Sequence, residues 1–129
     1  MFKIIRNTSL LLMLIFMTNC TNHVDNSQEE DAQKLASLLE EIIQMAENTS
    51  CTDDQNWAFT AFGTKACGGP VGYLIYSTTI DTEDFLDKVT LHAASQNEYN
   101  IKFGIVSDCA VPTMPAGVAC QNGVPVLVY

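Results

Sequence analysis

The chain has 129 residues, with 6 Lys plus Arg against 15 Asp plus Glu, a net charge of −9, and 47% hydrophobic residues. That length and apolar content suit one small folded domain and exclude an intrinsically disordered chain, which combines low hydrophobicity with high net charge. The six basic residues are scattered, which excludes nucleic acid as a partner because binding phosphates requires clustered Lys and Arg.

The first residues read as an export leader. Lys3 and Arg6 supply positive charge, Leu10 to Met17 form an unbroken apolar run, and Thr18, Asn19 and Cys20 are short and polar. The run falls far short of the ~20 residues that a helix needs to cross the hydrocarbon layer. Met17-Thr18-Asn19-Cys20 resembles the lipobox of bacterial lipoproteins, with Met17 where such boxes usually carry Leu and Asn19 where they carry a small residue. The resemblance implies cleavage after residue 19 and acylation of the Cys20 thiol. Ordinary cleavage leaving Cys20 free is the alternative. Cysteine parity favours acylation: five cysteines leave one unpaired in an exported protein, and committing Cys20 to lipid leaves Cys51, Cys67, Cys109 and Cys120 to pair. The exported part then holds four basic residues against fifteen acidic ones, a net charge of −11.

Residues 20–28 are polar apart from Val24 and read as a lipidated tether reaching at most about 30 Å. Ser27 with Glu30 matches a capping box, so a helix is expected to open a domain spanning residues 29–129. Leu35, Leu38, Leu39, Ile42, Met45 and Ala46 recur at spacings of three and four, giving one apolar stripe, and Asn48 to Ser50 should end the helix. Trp57, Phe59, Ala61 and Phe62 predict a half-buried strand over 56–63, and Tyr73 to Tyr76 a second one after a Gly68-Gly69-Pro70 turn. Asp81 is placed to cap a second helix running to about Phe103, with Phe85, Val89, His92 or Ala93, Gln96, Tyr99 or Asn100 and Phe103 inward and Gly104 as the stop. Ile105 and Val106 read as the start of another strand. Pro112 and Pro115 make a loop between Cys109 and Cys120, and Asn122-Gly123 predicts a hairpin joining Val118 to Gln121 with Val124 to Val128. Pro125 cannot donate an amide, so the last strand should be an edge or irregular there.

The sum is an α+β domain: two helices packed on a short antiparallel sheet, stabilised by disulfides. Of the three pairings, the short loops favour Cys51 with Cys67 and Cys109 with Cys120, each worth about 3 kcal/mol through the unfolded ensemble.

Chemistry is weakly signalled. The cysteines and histidines lack the close spacing of zinc ligands, and no Cys-x-x-Cys is present, so neither metal nor cofactor is expected. His92 lies on the helix stripe and reads as structural. Asp53 and Asp108 are the acids on which a small envelope hydrolase would rest. The segment Lys65-Ala66-Cys67-Gly68-Gly69-Pro70-Val71-Gly72-Tyr73-Leu74-Ile75-Tyr76-Ser77, with Ser107-Asp108-Cys109 later, resembles a motif set of small uncharacterised exported bacterial proteins, many of them lipoproteins. Because that family has no established activity, the resemblance implies none here.

The expectation is therefore a non-enzymatic, lipid-anchored envelope protein that binds another envelope component, with Gly68, Gly69, Pro70, Tyr73 and Tyr76 as a partner-binding loop. A narrower alternative is a protease or lysozyme inhibitor presenting Thr64 to Pro70 or Ala110 to Ala119. Thr21, where many Gram-negative lipoproteins retained at the inner membrane carry Asp, implies outer-membrane attachment by resemblance.

Overall fold

The apolar stripe beginning at Leu35 does fold as a helix in the computed structural model, which describes residues 23–46 and 50–129. The leader, the lipobox and Cys20 lie outside the described residues, as do residues 47–49, on which the expected helix stop falls. Helix α1 spans His23–Ala46. It opens before the Ser27–Glu30 tetrad, so residues 23–28 belong to the helix. Packing explains the extension: Gln28 Nε2 donates to Tyr99 Oη at 3.3 Å, and Asp31 accepts from Lys102 at 2.7 Å, holding the first turns against the second helix.

A 3-10 turn at Asp54–Asn56 leads into strand β1, Trp57–Phe62, which pairs antiparallel with β2, Gly72–Ser77. Helix α2 spans Thr82–Lys102, with Asp81 at its N-cap accepting from the Asp84 amide at 3.1 Å, as its sequence predicts. Strands β3, Gly117–Gln121, and β4, Val124–Val128, form the second hairpin. At its turn Asn122 (φ 52°) and Gly123 (φ 80°) both take left-handed conformations, the backbone that a tight two-residue hairpin demands. Residues flanking such a turn exchange both ladder hydrogen bonds, so the next pair, Cys120 and Pro125, has its amide positions facing outward. Proline's missing donor therefore costs the ladder nothing, and the Cys120 N–H is taken by Asp54 Oδ1 at 2.6 Å.

Among the described residues the molecule is α+β, with two helices, antiparallel strands and disulfides as expected, and two finer findings depart from the sequence-based expectation. The strands form two separate two-stranded ribbons rather than one sheet. Ile105 and Val106 begin no strand: Val106 is 90% exposed, and residues 105–116 run without regular structure.

Both helices lie on one face of the first ribbon. Phe85, Ile42, Ala46 and Val89 form the buried centre, with Leu38, Met45, Phe62, Leu74, Tyr76 and Ile80 around them. Phe85 is wholly buried and stacks on Tyr76 at 4.7 Å between ring centres, a burial worth up to about 3 kcal/mol. Lys88 of α2 bridges to Glu41 of α1 at 3.0 Å, and that bond raises the ammonium's pKa. No helix among the described residues is long and apolar enough to cross a membrane.

Two disulfides are present among the described residues, but not with the short-loop connectivity expected. Cys51 joins Cys120 and Cys67 joins Cys109, with Cα separations of 5.4 and 5.8 Å. The rings are nested. Cys51 reaches Cys120 because its amide donates to the Gly123 carbonyl at 3.0 Å, which lays the start of the first ribbon along the hairpin turn of the second.

Candidate functional site

The Lys65 to Pro70 motif is built outward from α2. Gly63 has φ +68°, and a Cβ there would lie 2.7 Å from Gln96 Oε1 and 2.8 Å from Val71 Cγ2, so only glycine fits. Thr64 follows, bonded on three sides. Its amide donates to Gln96 Oε1 at 2.7 Å, its hydroxyl to the Ala93 carbonyl at 3.0 Å, and its carbonyl accepts from Asn100 Nδ2 at 2.8 Å. Gln96 and Asn100, which the helical periodicity places inward, thus serve as polar anchors for a loop. The tip closes when the Lys65 amide donates to the Gly69 carbonyl at 3.0 Å and the Gly68 amide to the Lys65 carbonyl at 2.9 Å.

Lys65 carries the connection to the second loop. Its Nζ donates to Asp108 Oδ1 at 2.7 Å and to the Ala110 carbonyl at 2.6 Å. The lysine side chain is 16% exposed and the aspartate 77%, so solvent screens the ion pair and its worth is mainly geometric. The Cys67–Cys109 bridge adds a covalent tie beside it. Residues 105–116 are also held at both ends, by Ile105 N–H to the Asn100 carbonyl at 2.9 Å and by Ala116 N–H to the Val128 carbonyl at 2.6 Å, and Pro115 is buried. Yet the same loop presents Val106, Val111 and Met114 at 90%, 78% and 71% exposure. The Lys65-to-Pro70 and Ser107-to-Cys109 motifs, far apart in sequence, are thus two halves of one clamp.

The five residues singled out for partner binding do not share a surface. Gly68 and Gly69 are exposed at the clamp's tip and Pro70 is half-buried. Tyr73 and Tyr76 lie on opposite faces of β2, because three positions along a strand reverse the side. Tyr76 packs in the core on Phe85. Tyr73 meets Phe59 edge-on at 5.8 Å between ring centres and lines, with Trp57, Ile75 and Leu127, an apolar groove of about 510 Å³ between the two ribbons.

The acids named for hydrolysis are occupied separately. Asp53 accepts the Gln55 amide at 3.0 Å at the head of the 3-10 turn, in a recess with Ser50, Thr52, Asn56 and Thr79, whereas Asp108 belongs to Lys65. Cys51, Asp54 and Cys120 bring two sulfurs and a carboxylate oxygen within 4.8 Å of one another. The sulfurs are bonded to each other, and the carboxylate holds the Cys120 amide, so this cluster acts as a strut. His92 is buried between α1 and α2, 4% exposed, with no partner for Nδ1 among the described residues. Burial lowers its pKa, opposed by a bond to the Leu35 backbone, so the ring is neutral at pH 7.

What the residue-by-residue reading missed was the outward apolar set on the second loop. Its signal was present in Val106, Val111 and Met114, but an isolated apolar residue in a loop looks the same whether it turns in or out. Comparison with protein-family models, with curated proteins and with solved structures finds no match to this chain.

Proposed function

We propose that this protein is a lipid-anchored envelope component that binds another protein through the clamped loop at residues 105–116. One observation carries the reading: a loop with no regular structure is fastened at both ends and in its middle, yet holds three apolar side chains out in water. Fixing a loop in advance lowers the ordering cost of binding, and the three exposed apolar side chains fall within nine residues of that one fixed loop. The resemblance of Met17-Thr18-Asn19-Cys20 to a lipobox supports the anchoring half, since the two acyl chains it implies suffice for stable attachment without any basic patch. The strong negative charge of the domain disfavours close contact with anionic headgroups and leaves protein as the better partner.

The test places a photo-crosslinking residue at Val111 or Met114 of the membrane-bound protein, with Glu83 on α2 as control. The expected result is one protein adduct common to positions 111 and 114 and absent from 83. Lipid adducts alone, or none, would overturn the reading. Anchoring is tested separately by mass spectrometry: acyl groups on Cys20 are expected, with Cys20→Ser appearing in the aqueous fraction.

The inhibitor reading gains support from the same loop. Val111 and Met114 project while Pro115 is buried beside them, the arrangement of a projecting side chain on a fixed backbone. Thr64 and Lys65, in the competing segment, turn their polar groups inward to Ala93, Asp108 and Ala110. Assay against protease and lysozyme panels decides it, and a flat result across both removes this narrower form.

A further inference from the structure

The two disulfides differ in access. Cys51 is 3% exposed and lies between ribbons already joined by the Cys51-to-Gly123 and Cys120-to-Asp54 hydrogen bonds. Cys67 and Cys109 are both exposed, and both lie on loops rather than on helices or strands. Ser107 Oγ stands 3.4 Å from Cys67 Sγ. Because a disulfide sulfur has no proton to give, the hydroxyl is the donor and favours Cys67 as a departing thiolate, against the opposing Asp108 carbonyl oxygen at the same 3.4 Å.

We propose that the Cys67–Cys109 bridge is a reducible latch on the 105–116 loop, opened by a dithiol reductant while Cys51–Cys120 stays closed. The inference rests on the binding role assigned to that loop and adds its regulation. In the first step a thiolate of the reductant attacks Cys109 Sγ, the Cys67–Cys109 bond breaks, and Cys67 leaves as a thiolate that takes up a proton. In the second, the reductant's other thiolate attacks its own sulfur in the mixed disulfide. Cys109 is released and protonated, and the reductant departs as a disulfide. Two electrons and two protons have passed to the bridge. Exchange needs a line of approach to the sulfur, which the exposed Cys67 and Cys109 offer, whereas Cys51 is packed and Cys120 is half-buried. Once the bridge is open, the middle of the loop keeps the Lys65 contacts and the weak contacts of Cys67 Sγ with Ser107 and the Asp108 carbonyl, while its ends stay bonded to Asn100 and Val128.

The test treats the purified full-length protein in detergent with rising dithiothreitol, quenches with an alkylating agent, and maps the modified cysteines by mass spectrometry. Expected is alkylation of Cys67 and Cys109 at a reductant concentration at least tenfold below that needed for Cys51 and Cys120. Backbone ¹⁵N order parameters for residues 106–111 should then fall from the rigid range, about 0.85, to below about 0.6, with far-ultraviolet circular dichroism unchanged. The double variant Cys67→Ser with Cys109→Ser should reproduce the mobile loop without reductant. Simultaneous opening of both bridges, earlier opening of Cys51–Cys120, or a loop that stays rigid once Cys67 and Cys109 are free would overturn the latch. Failure of the crosslinking experiment on the oxidised protein would sink the binding role alone, because selective opening and loop mobility are read without any partner.

Discussion

His92 is the one buried ionisable side chain at the junction of the helices among the described residues, and its environment opposes charge. With the folded-state pKa lowered below the ordinary 6.5, both states are neutral above that value and the domain has its full stability there. As pH falls through 6.5 toward the folded value, the unfolded chain takes up the proton first, and stability declines. Asp31 titrates in a separate range, since its bonds to Lys102 and Lys34 hold its carboxyl below the ordinary 3.8. Denaturant unfolding at pH 7.5 and 5.5 should show a lower midpoint at the acid value for wild type, with a much smaller difference in His92→Gln. Equal pH sensitivity in the two proteins would show that the loss arises elsewhere. The structural reading of this residue was available in the sequence, because Phe85, Val89 and His92 follow one another at helical spacing and a position on that stripe must be enclosed. The missing partner of its Nδ1 was not, since it depends on what α1 presents across the interface.

At the level of elements, legibility followed the range of the forces involved. Both helices, the Asp81 cap and the Asn122-Gly123 turn are set by residues within a few positions of one another, and the sequence carries them openly. The pairing of strands into two ribbons is set by packing between distant segments, and alternation along one strand says nothing about which strand lies beside it. Ile105 and Val106 mislead for the same reason: their β-branched side chains favour extended backbone, but Gly104 and the Cys67 bridge place them where no strand edge is offered. The β1 to α2 junction gives a direct test of this packing. Gly63→Ala would force a Cβ into Gln96 and Val71 at a left-handed backbone position, and it should destabilise the domain by about 1–3 kcal/mol. Gly104, also left-handed but with open space around it, should lose less on the same substitution. Thermal or denaturant unfolding of the two variants compares them, and an equal loss would mean that the contact with Gln96 and Val71 carries no weight.

At the scale of the whole molecule, the nested disulfides decide how the chain is tied together. A preference for short loops misjudged them because closure entropy rises only with the logarithm of length: each doubling costs about 0.6 kcal/mol, so a span of 69 residues costs only about 1.3 kcal/mol more than one of 16. Packing of the two ribbons outweighs a difference of that size. The outer bridge ties the start of β1 to β3; losing it leaves closed only the ring with a separation of 42 residues, whereas losing the inner bridge leaves the one of 69, so the outer bridge contributes slightly more. Removing the outer bridge as the pair Cys51→Ser with Cys120→Ser should therefore cost about 3.5 kcal/mol in denaturant unfolding, about 0.4 kcal/mol more than the pair Cys67→Ser with Cys109→Ser. Connectivity itself is read by proteolysis of the native, unreduced protein, where fragments carrying residues 51 and 120 should stay linked, as should those carrying 67 and 109. Fragments linked as 51 with 67 and 109 with 120 would dissolve both the outer ring and the clamp that holds the proposed binding loop.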